Sequence, residues 1–308
     1  MKTTTWIAMA TVALSATFCG CSSGGDSASP TGSATAGTTA GGTLHVALAP
    51  SEDAEKMAAG FEPIRAELAK ETGLTVDVVR VTDYASVIEA QRAGKVDLAW
   101  YGPLSMVLAN EEAGAEPIVL GVQAGGDATY HSLIVVPANS PAKSIADLKG
   151  KKIALVDPGS CSGNLVPRSA VMKQTNQKAE DFFGQVTYAG SHDAALLSLM
   201  NGNVDACAVQ DITYNAKTKS KEFDVSKFRI LWTSDPLPQS PIAVKKDMDP
   251  ELKKKIINCF KSLAKNDVKM DVPGEGNYVN FVETSMDLYK PIAEMAKTLG
   301  LSKQDLGK

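Results

Sequence analysis

Histidine, cysteine and clustered positive charge are all in short supply in this sequence. Three histidines and five cysteines among 308 residues leave little from which to build a metal centre. Cys161, Cys207 and Cys259 are also too far apart for metal-ligand spacing. These three form an odd set, so at least one is a free thiol or is paired with another chain. Lys and Arg total 31 against 35 Asp and Glu, a net charge of −4. No basic run is interleaved with aromatics, which argues against nucleic acid as a partner. An acidic chain that binds an anion must do so through local dipoles, because its overall field repels one. Beyond the N-terminal region no segment is apolar for long enough to span a bilayer.

What is present begins with export. Lys2 supplies a minimal positive region, and 6–18 is an apolar run too short for a stable membrane span, so 1–20 is expected to be a signal peptide. Phe18-Cys19-Gly20 before Cys21 resembles the lipobox of bacterial lipoproteins, which makes Cys21 the expected lipidation site. Phe18 stands where leucine is usual, and ordinary secretion with a free thiol is the alternative. Residues 21–42 are almost wholly Ser, Thr, Gly and Ala, a composition unable to bury a core. They are expected to be a flexible tether that lets a lipid-anchored domain work beside the membrane.

The rest of the chain is long enough for two lobes. An apolar run over 44–49 ends at Pro50-Ser51, and Ser51 is expected to cap a helix with apolar positions Met57, Phe61, Ile64 and Leu68, ended by Gly73. A strand over 75–81, a helix over 84–93 and a strand over 97–100 continue the pattern. This βαβαβ order favours a parallel sheet covered by helices. Strands over 131–136, 153–156, 185–188 and 206–209, with helices from 165 and over 193–200, make a second α/β unit. A strand over 230–233 and a Pro-rich 235–238 lead back through 242–244 to helices over 250–264 and 291–299. The expectation is an α/β protein of two lobes, 43–128 with 240–308 and 129–239, with a ligand cleft between them. Ligands in such clefts meet strand ends and helix starts.

The junction Asp157-Pro158-Gly159-Ser160-Cys161-Ser162-Gly163 links an expected buried strand to an expected helix. It aims backbone N–H groups and hydroxyls at one point, as an oxyanion site requires. A plain helix cap and tight turn is the bland account of the same residues. Ser191 is expected to cap a second helix, placing His192 on its first turn at another positive helix end; a surface imidazole is the alternative. Cys161, His192 and Asp211 also contain the residue types of a thiol triad, but no motif sets the cysteine beside its base.

Several motifs, taken together, carry a resemblance. They are Thr82-Asp83-Tyr84, Trp100-Tyr101-Gly102-Pro103, Tyr130-His131-Ser132, the run 155–163 followed by Leu165-Val166-Pro167, Gly190-Ser191-His192-Asp193-Ala194-Ala195, Val204-Asp205-Ala206 and Leu237-Pro238-Gln239-Ser240-Pro241. In this order the set resembles the phosphate/phosphite/phosphonate-binding proteins of bacterial ABC importers (PhnD-like). The resemblance implies a type II periplasmic-binding fold that closes on its ligand, works as a monomer and delivers that ligand to an ABC permease and its ATPase, with no cofactor or metal.

It also implies roles for particular residues. Ser160, Cys161, Ser162 and Gly163 match the loop that cradles phosphorus oxygens, with Cys161 a departure that replaces a hydroxyl by a weaker donor. His192 matches a histidine that donates to the same oxygens. Tyr84 and Tyr130 match aromatics that close over the ligand, and Tyr101 lies in a first-lobe motif. Asp211 matches one acidic position that receives an ammonium in relatives binding aminoalkyl phosphonates, but Gln239 stands where a second carboxylate is expected. The implied ligand is therefore phosphite, phosphate or a small alkyl phosphonate. A ligand-presenting sensor for an oxyanion such as arsenite, and less readily a Cys-dependent enzyme, are the competing readings.

Overall fold

The computed structural model describes residues 42–301. The expected signal peptide, Cys21 and all but the last residue of the expected tether lie outside the described residues. The chain runs through β1 (Thr43–Leu48), α1 (Ala54–Thr72), β2 (Thr75–Val78), α2 (Tyr84–Arg92), β3 (Leu98–Trp100), α3 (Pro103–Ala113) and β4 (Glu116–Gln123). It then crosses through β5 (Thr129–Tyr130) into β6 (Ser132–Pro137), β7 (Lys152–Leu155), a π-helical turn over Cys161–Leu165, α4 (Val166–Thr175), α5 (Ala179–Phe182) and β8 (Gln185–Tyr188). Next come α6 (His192–Met200), β9 (Ala206–Gln210), α7 (Asp211–Lys219) and β10 (Phe228–Thr233). Strand β11 (Leu237–Pro238) leads back to β12 (Pro241–Val244), α8 (Pro250–Ser262), β13 (Asp271–Val272), β14 (Gly276–Glu283) and α9 (Lys290–Thr298).

Two sheets result. The first has the order β13-β14-β4-β12-β3-β1-β2 and the second β10-β6-β9-β7-β8. Strand β1 pairs in parallel with β2 and β3, whereas β12 runs antiparallel to β3 and β4. In the second sheet β7 pairs in parallel with β8 and β9, so the loops that follow these three strands gather at one edge. The antiparallel ribbon of β5 and β11, with Leu237 opposite Tyr130, is where the chain crosses between the sheets. This is the two-lobe α/β architecture of periplasmic binding proteins.

Helix α1 buries Met57, Phe61, Ile64 and Leu68 and ends at Gly73, whose φ of 74° suits a left-handed cap. Its N-cap differs from expectation: Asp53, not Ser51, accepts the Lys56 N–H at 3.0 Å. Ser51 is drawn elsewhere, donating through Oγ to Glu275 Oε1 at 2.9 Å. Helix α3 is buried continuously from Pro103 to Ala109, so it lacks the polar face that would reveal its period in the sequence. In the first lobe Trp100 meets Phe61 and Phe281 edge-on and stacks on Tyr278. The second lobe has apolar bodies on both faces of its sheet. A further apolar body runs from Val87, Ile88 and Leu104 of the first lobe to Cys161, Leu165 and Val166 of the second, so the two lobes are in contact.

Candidate ligand-binding site

The site is assembled where β7, β8 and β9 end. After β7 the chain turns tightly: Asp157 Oδ1 accepts the Gly159 N–H at 2.7 Å, and the Ser160 N–H donates to Asp157 O at 2.9 Å. Ser160 then caps the helical turn, its Oγ accepting the Gly163 N–H at 3.0 Å. As at any helix start, the N–H groups of this first turn have no carbonyl one turn upstream. A Cβ on Gly163 would lie 2.3 Å from Val156 Cγ2, so only glycine lets the turn fold back on the strand that feeds it. Ser132 Oγ, from β6, donates to Ser162 O at 2.6 Å and pins the turn from the side.

The loop after β8 lies alongside. The Ala189 and Gly190 N–H groups donate to Leu155 O and Val156 O at 2.9 and 2.7 Å. Ser191 caps α6, and His192 occupies its first position at 2 % exposure. His192 Nδ1 accepts the Gln210 N–H at 3.1 Å, from the end of β9. Burial pushes the imidazole pKa down to about 3, so the ring is neutral. With Nδ1 accepting, the ring proton belongs to Nε2, and His192 is a fixed neutral donor.

The other lobe and the crossing ribbon supply phenols. Tyr84, at the start of α2, and Tyr130, on β5, are both buried. Tyr84 and Tyr130 pack in one buried cluster with Cys161, which places the Tyr84 phenol near Ser160 and the Tyr130 phenol near Ser162 and Cys161. Burial holds both phenols well above their usual pKa, so they stay protonated. Ser160, Cys161, Ser162, Gly163, Tyr84 and Tyr130 are thus brought together, with His192 on the adjacent loop. Tyr101 points elsewhere, its hydroxyl donating to Gln91 Oε1 at 2.9 Å inside the first lobe. Asp211, the first residue of α7, is held by His131, accepting its backbone N–H at 3.0 Å and lying 3.2 Å from its Nδ1. Gln239 is buried, with Oε1 accepting from the Tyr278 hydroxyl at 3.1 Å.

The three residue types of a thiol triad are committed to other partners. His192 faces Gln210, Asp211 faces His131, and burial pushes the Cys161 thiol up to about 12. Cys161, Cys207 and Cys259 are all free and buried. Groups of three or more His, Cys, Asp or Glu able to hold a metal ion are absent among the described residues.

Sequence reasoning missed the acidic side of the seam. Glu52 accepts from Thr213 Oγ1 of the second lobe at 2.6 Å, and burial pushes its carboxyl up to about 7. Glu275, between β13 and β14, is 3 % exposed, and burial pushes it up to about 8. Two further bonds tie the lobes together: the His192 N–H donates to Ser51 O at 2.9 Å, and Gln210 Nε2 to Gly274 O at 2.5 Å.

Comparison with known proteins fits this geometry. The profile of a family described as "ABC transporter, phosphonate, periplasmic substrate-binding protein" matches residues 46–289. The phosphate-import protein PhnD of Mycolicibacterium smegmatis is 33 % identical over 229 residues, 71 % of each chain. The phosphonates-binding periplasmic protein of Escherichia coli is 27 % identical over 275 residues, 85 % of this chain and 81 % of its own. Among solved structures, PhnD1 from Prochlorococcus marinus in complex with methylphosphonate superposes with a TM-score of 0.72 at 21 % identity, covering 84 % of this chain and 98 % of its own. The chain therefore belongs to the periplasmic substrate-binding proteins of phosphonate ABC transporters.

Proposed function

We propose that this protein captures phosphate, phosphite or a small amine-free phosphonate between its lobes and hands it to an ABC permease driven by its ATPase. The observation that carries this reading is the pairing of the Ser160-capped turn with a neutral, oriented His192, with Tyr84 of the opposite lobe and Tyr130 of the crossing ribbon near that turn. The second lobe (129–239) gathers the ligand oxygens at two helix starts, and Tyr84 and Tyr130 shut over them. Closure is driven by the ligand's greater affinity for the shut form. Delivery as a monomer, tethered through lipid on Cys21 and 21–42, belongs to the same proposal, as does a first lobe made of 43–128 and 240–308.

Preference for a ligand without an amine is supported by Asp211 and Gln239, both engaged by protein groups. Arsenite capture through thiols finds less support, because Cys161 is held protonated. The three committed triad residues likewise favour a carrier over an enzyme. Isothermal titration with phosphate, phosphite, methylphosphonate, 2-aminoethylphosphonate and sulfate tests the reading. His192→Ala and Ser160→Ala should each weaken phosphorus-ligand binding by about 1–3 kcal/mol through lost donors in a dry site. Unchanged affinity in both variants, or binding of sulfate alone, rejects the reading.

A further inference from the structure

Glu275 stands out because one of its oxygens has no partner. Among the described residues only three buried side-chain atoms lack a hydrogen bond: Gln91 Nε2, Trp100 Nε1 and Glu275 Oε2. Orphaned buried polar atoms are rare in folded proteins, and an unfilled ligand contact is one of the few physical reasons for them. The turn that carries Glu275 is seated by design. Gly274 has a φ of 80°, and a Cβ there would fall 2.5 Å from Ser51 Oγ, so the turn lies directly on the loop after β1. Ser51 Oγ fixes Glu275 Oε1 at 2.9 Å, and although the Ser240 side chain lies near the carboxyl, Oε2 accepts no hydrogen bond.

The surroundings identify which way that oxygen works. The Glu275 turn borders the residues of the candidate site: Ser51, whose Oγ holds Oε1, also accepts the His192 N–H at 2.9 Å, and Gly274 O accepts from Gln210 Nε2, beside the N–H that fixes His192 Nδ1. The titratable groups facing it are Glu52 from the loop after β1, Tyr84 from α2, Tyr130 from β5 and Tyr278 from β14. None of them is cationic, and an ionised Glu275 would be both unpaired and repelled by Glu52. Burial, with no compensating cation, pushes the carboxyl up to about 8.

We propose that Glu275 is a ligand contact of the phosphorus-oxyanion site, acting as a neutral carboxylic acid whose Oε2–H is donated to a ligand oxygen. This rests on the function proposed above and adds a residue to it. A neutral acid lets an acidic protein place a strong donor against a dianion without adding net charge. Binding is then tied to one proton on the protein, and a more basic acceptor oxygen receives a stronger bond.

The test measures phosphite and methylphosphonate affinity of the full-length protein, Glu275→Gln and Glu275→Leu. Glutamine keeps a donor that does not titrate, so its affinity should stay within about threefold of wild type at neutral pH, whereas leucine should weaken binding about 10- to 100-fold. Because ligand protonation is common to both proteins, the ratio of wild-type to Glu275→Gln Kd isolates the carboxyl. That ratio should be flat below about pH 7 and move against the wild type by roughly tenfold towards pH 9. A flat ratio across the range, with binding intact, overturns the role of Glu275 alone. So does wild-type affinity for 2-aminoethylphosphonate that rises with pH and disappears in Glu275→Gln, the signature of an ionised carboxylate receiving an ammonium. Absence of binding of every phosphorus ligand by the wild type would overturn the proposed function together with this contact. A cooperative thermal transition of the glutamine variant, with a midpoint no lower than that of the wild type, keeps a folding defect from imitating either result.

Discussion

The two walls of the cleft solve the problem of an anion in opposite ways. On the second lobe the proposed donors are neutral: helix-start N–H groups, the Ser160 and Ser162 hydroxyls, and an imidazole that burial keeps uncharged. The first lobe instead brings carboxyls into the seam, Glu52 and Glu275, and the same burial raises them to about 7 and about 8, so that Glu275 keeps its proton at neutral pH. One wall does without positive charge and the other suppresses negative charge. On the proposed reading the contrast makes selectivity depend on proton count and donor direction, because the proposed contacts on both walls, among the described residues, include no cation.

The largest effect expected from this contrast is on stability without ligand. Glu275 is held at about 8 in the fold against an ordinary 4.5, so between those values the folded protein keeps a proton that the unfolded chain has released. Stability contributed this way is complete below about pH 4.5 and is lost as pH rises through 8, amounting to a few kcal/mol at most. Glu52 adds a similar slope up to about pH 7. His192 acts in the opposite sense: held at about 3 against 6.5, it makes the folded protein less stable as pH falls from 6.5 towards 3. Ligand-free thermal midpoints should therefore be highest in mildly acidic buffer and fall towards pH 8. Glu275→Gln should lose much of the alkaline decline while keeping the acid limb. An unchanged alkaline decline in that variant would break the contrast between the walls.

A second prediction sharpens the second-lobe side. Gly163→Ala places a methyl 2.3 Å from Val156 Cγ2 and 2.9 Å from Ser160 Oγ, so the turn must shift away from its strand. Overpacking of this kind costs about 1–3 kcal/mol of stability. Because the displaced atoms are the cap and donors of the proposed ligand turn, phosphite affinity should fall by more than tenfold as well. Denaturant unfolding combined with titration checks both; loss of stability with intact affinity would mean that the turn is structural only.

These walls were not equally legible. The second-lobe donors sit in short contiguous runs, Ser160 to Gly163 and Ser191-His192, where cap chemistry and glycine announce a helix start from local sequence. The acidic wall has no such local mark. Glu275 becomes buried only because the turn between β13 and β14 is laid over Ser51, more than two hundred positions earlier in the chain, and nothing around Pro273-Gly274 records that encounter. The same long-range contact explains the cap at α1, where Asp53 takes the place expected for Ser51. In the fold, alternating and capped segments such as α1 and β1 were readable. By contrast α3 and β4 were missed because continuous burial erases their periodicity, and β14 because its pairing partner β4 lies far away in the chain.

Direction of a side chain is a further thing that sequence spacing leaves open, and Tyr84 and Tyr101 make the smallest but cleanest test of it. Both are buried tyrosines of the first lobe, separated in function by where the hydroxyl goes: Tyr84 towards Ser160, Tyr101 to Gln91 Oε1 at 2.9 Å. Removing each oxygen leaves the ring, so packing is preserved and only the hydrogen bond is lost. Tyr84→Phe should weaken phosphite binding by about 1 kcal/mol with little change in stability, since its partner lies across the cleft. Tyr101→Phe should do the reverse, costing about 0.5–1.5 kcal/mol of stability while affinity stays within about twofold, because the group it abandons is a buried amide of its own lobe. Parallel titration and urea unfolding of the two variants separate these outcomes. Equal losses of affinity would show that Tyr101 reaches the ligand in solution, and the first-lobe wall would then need a third phenol.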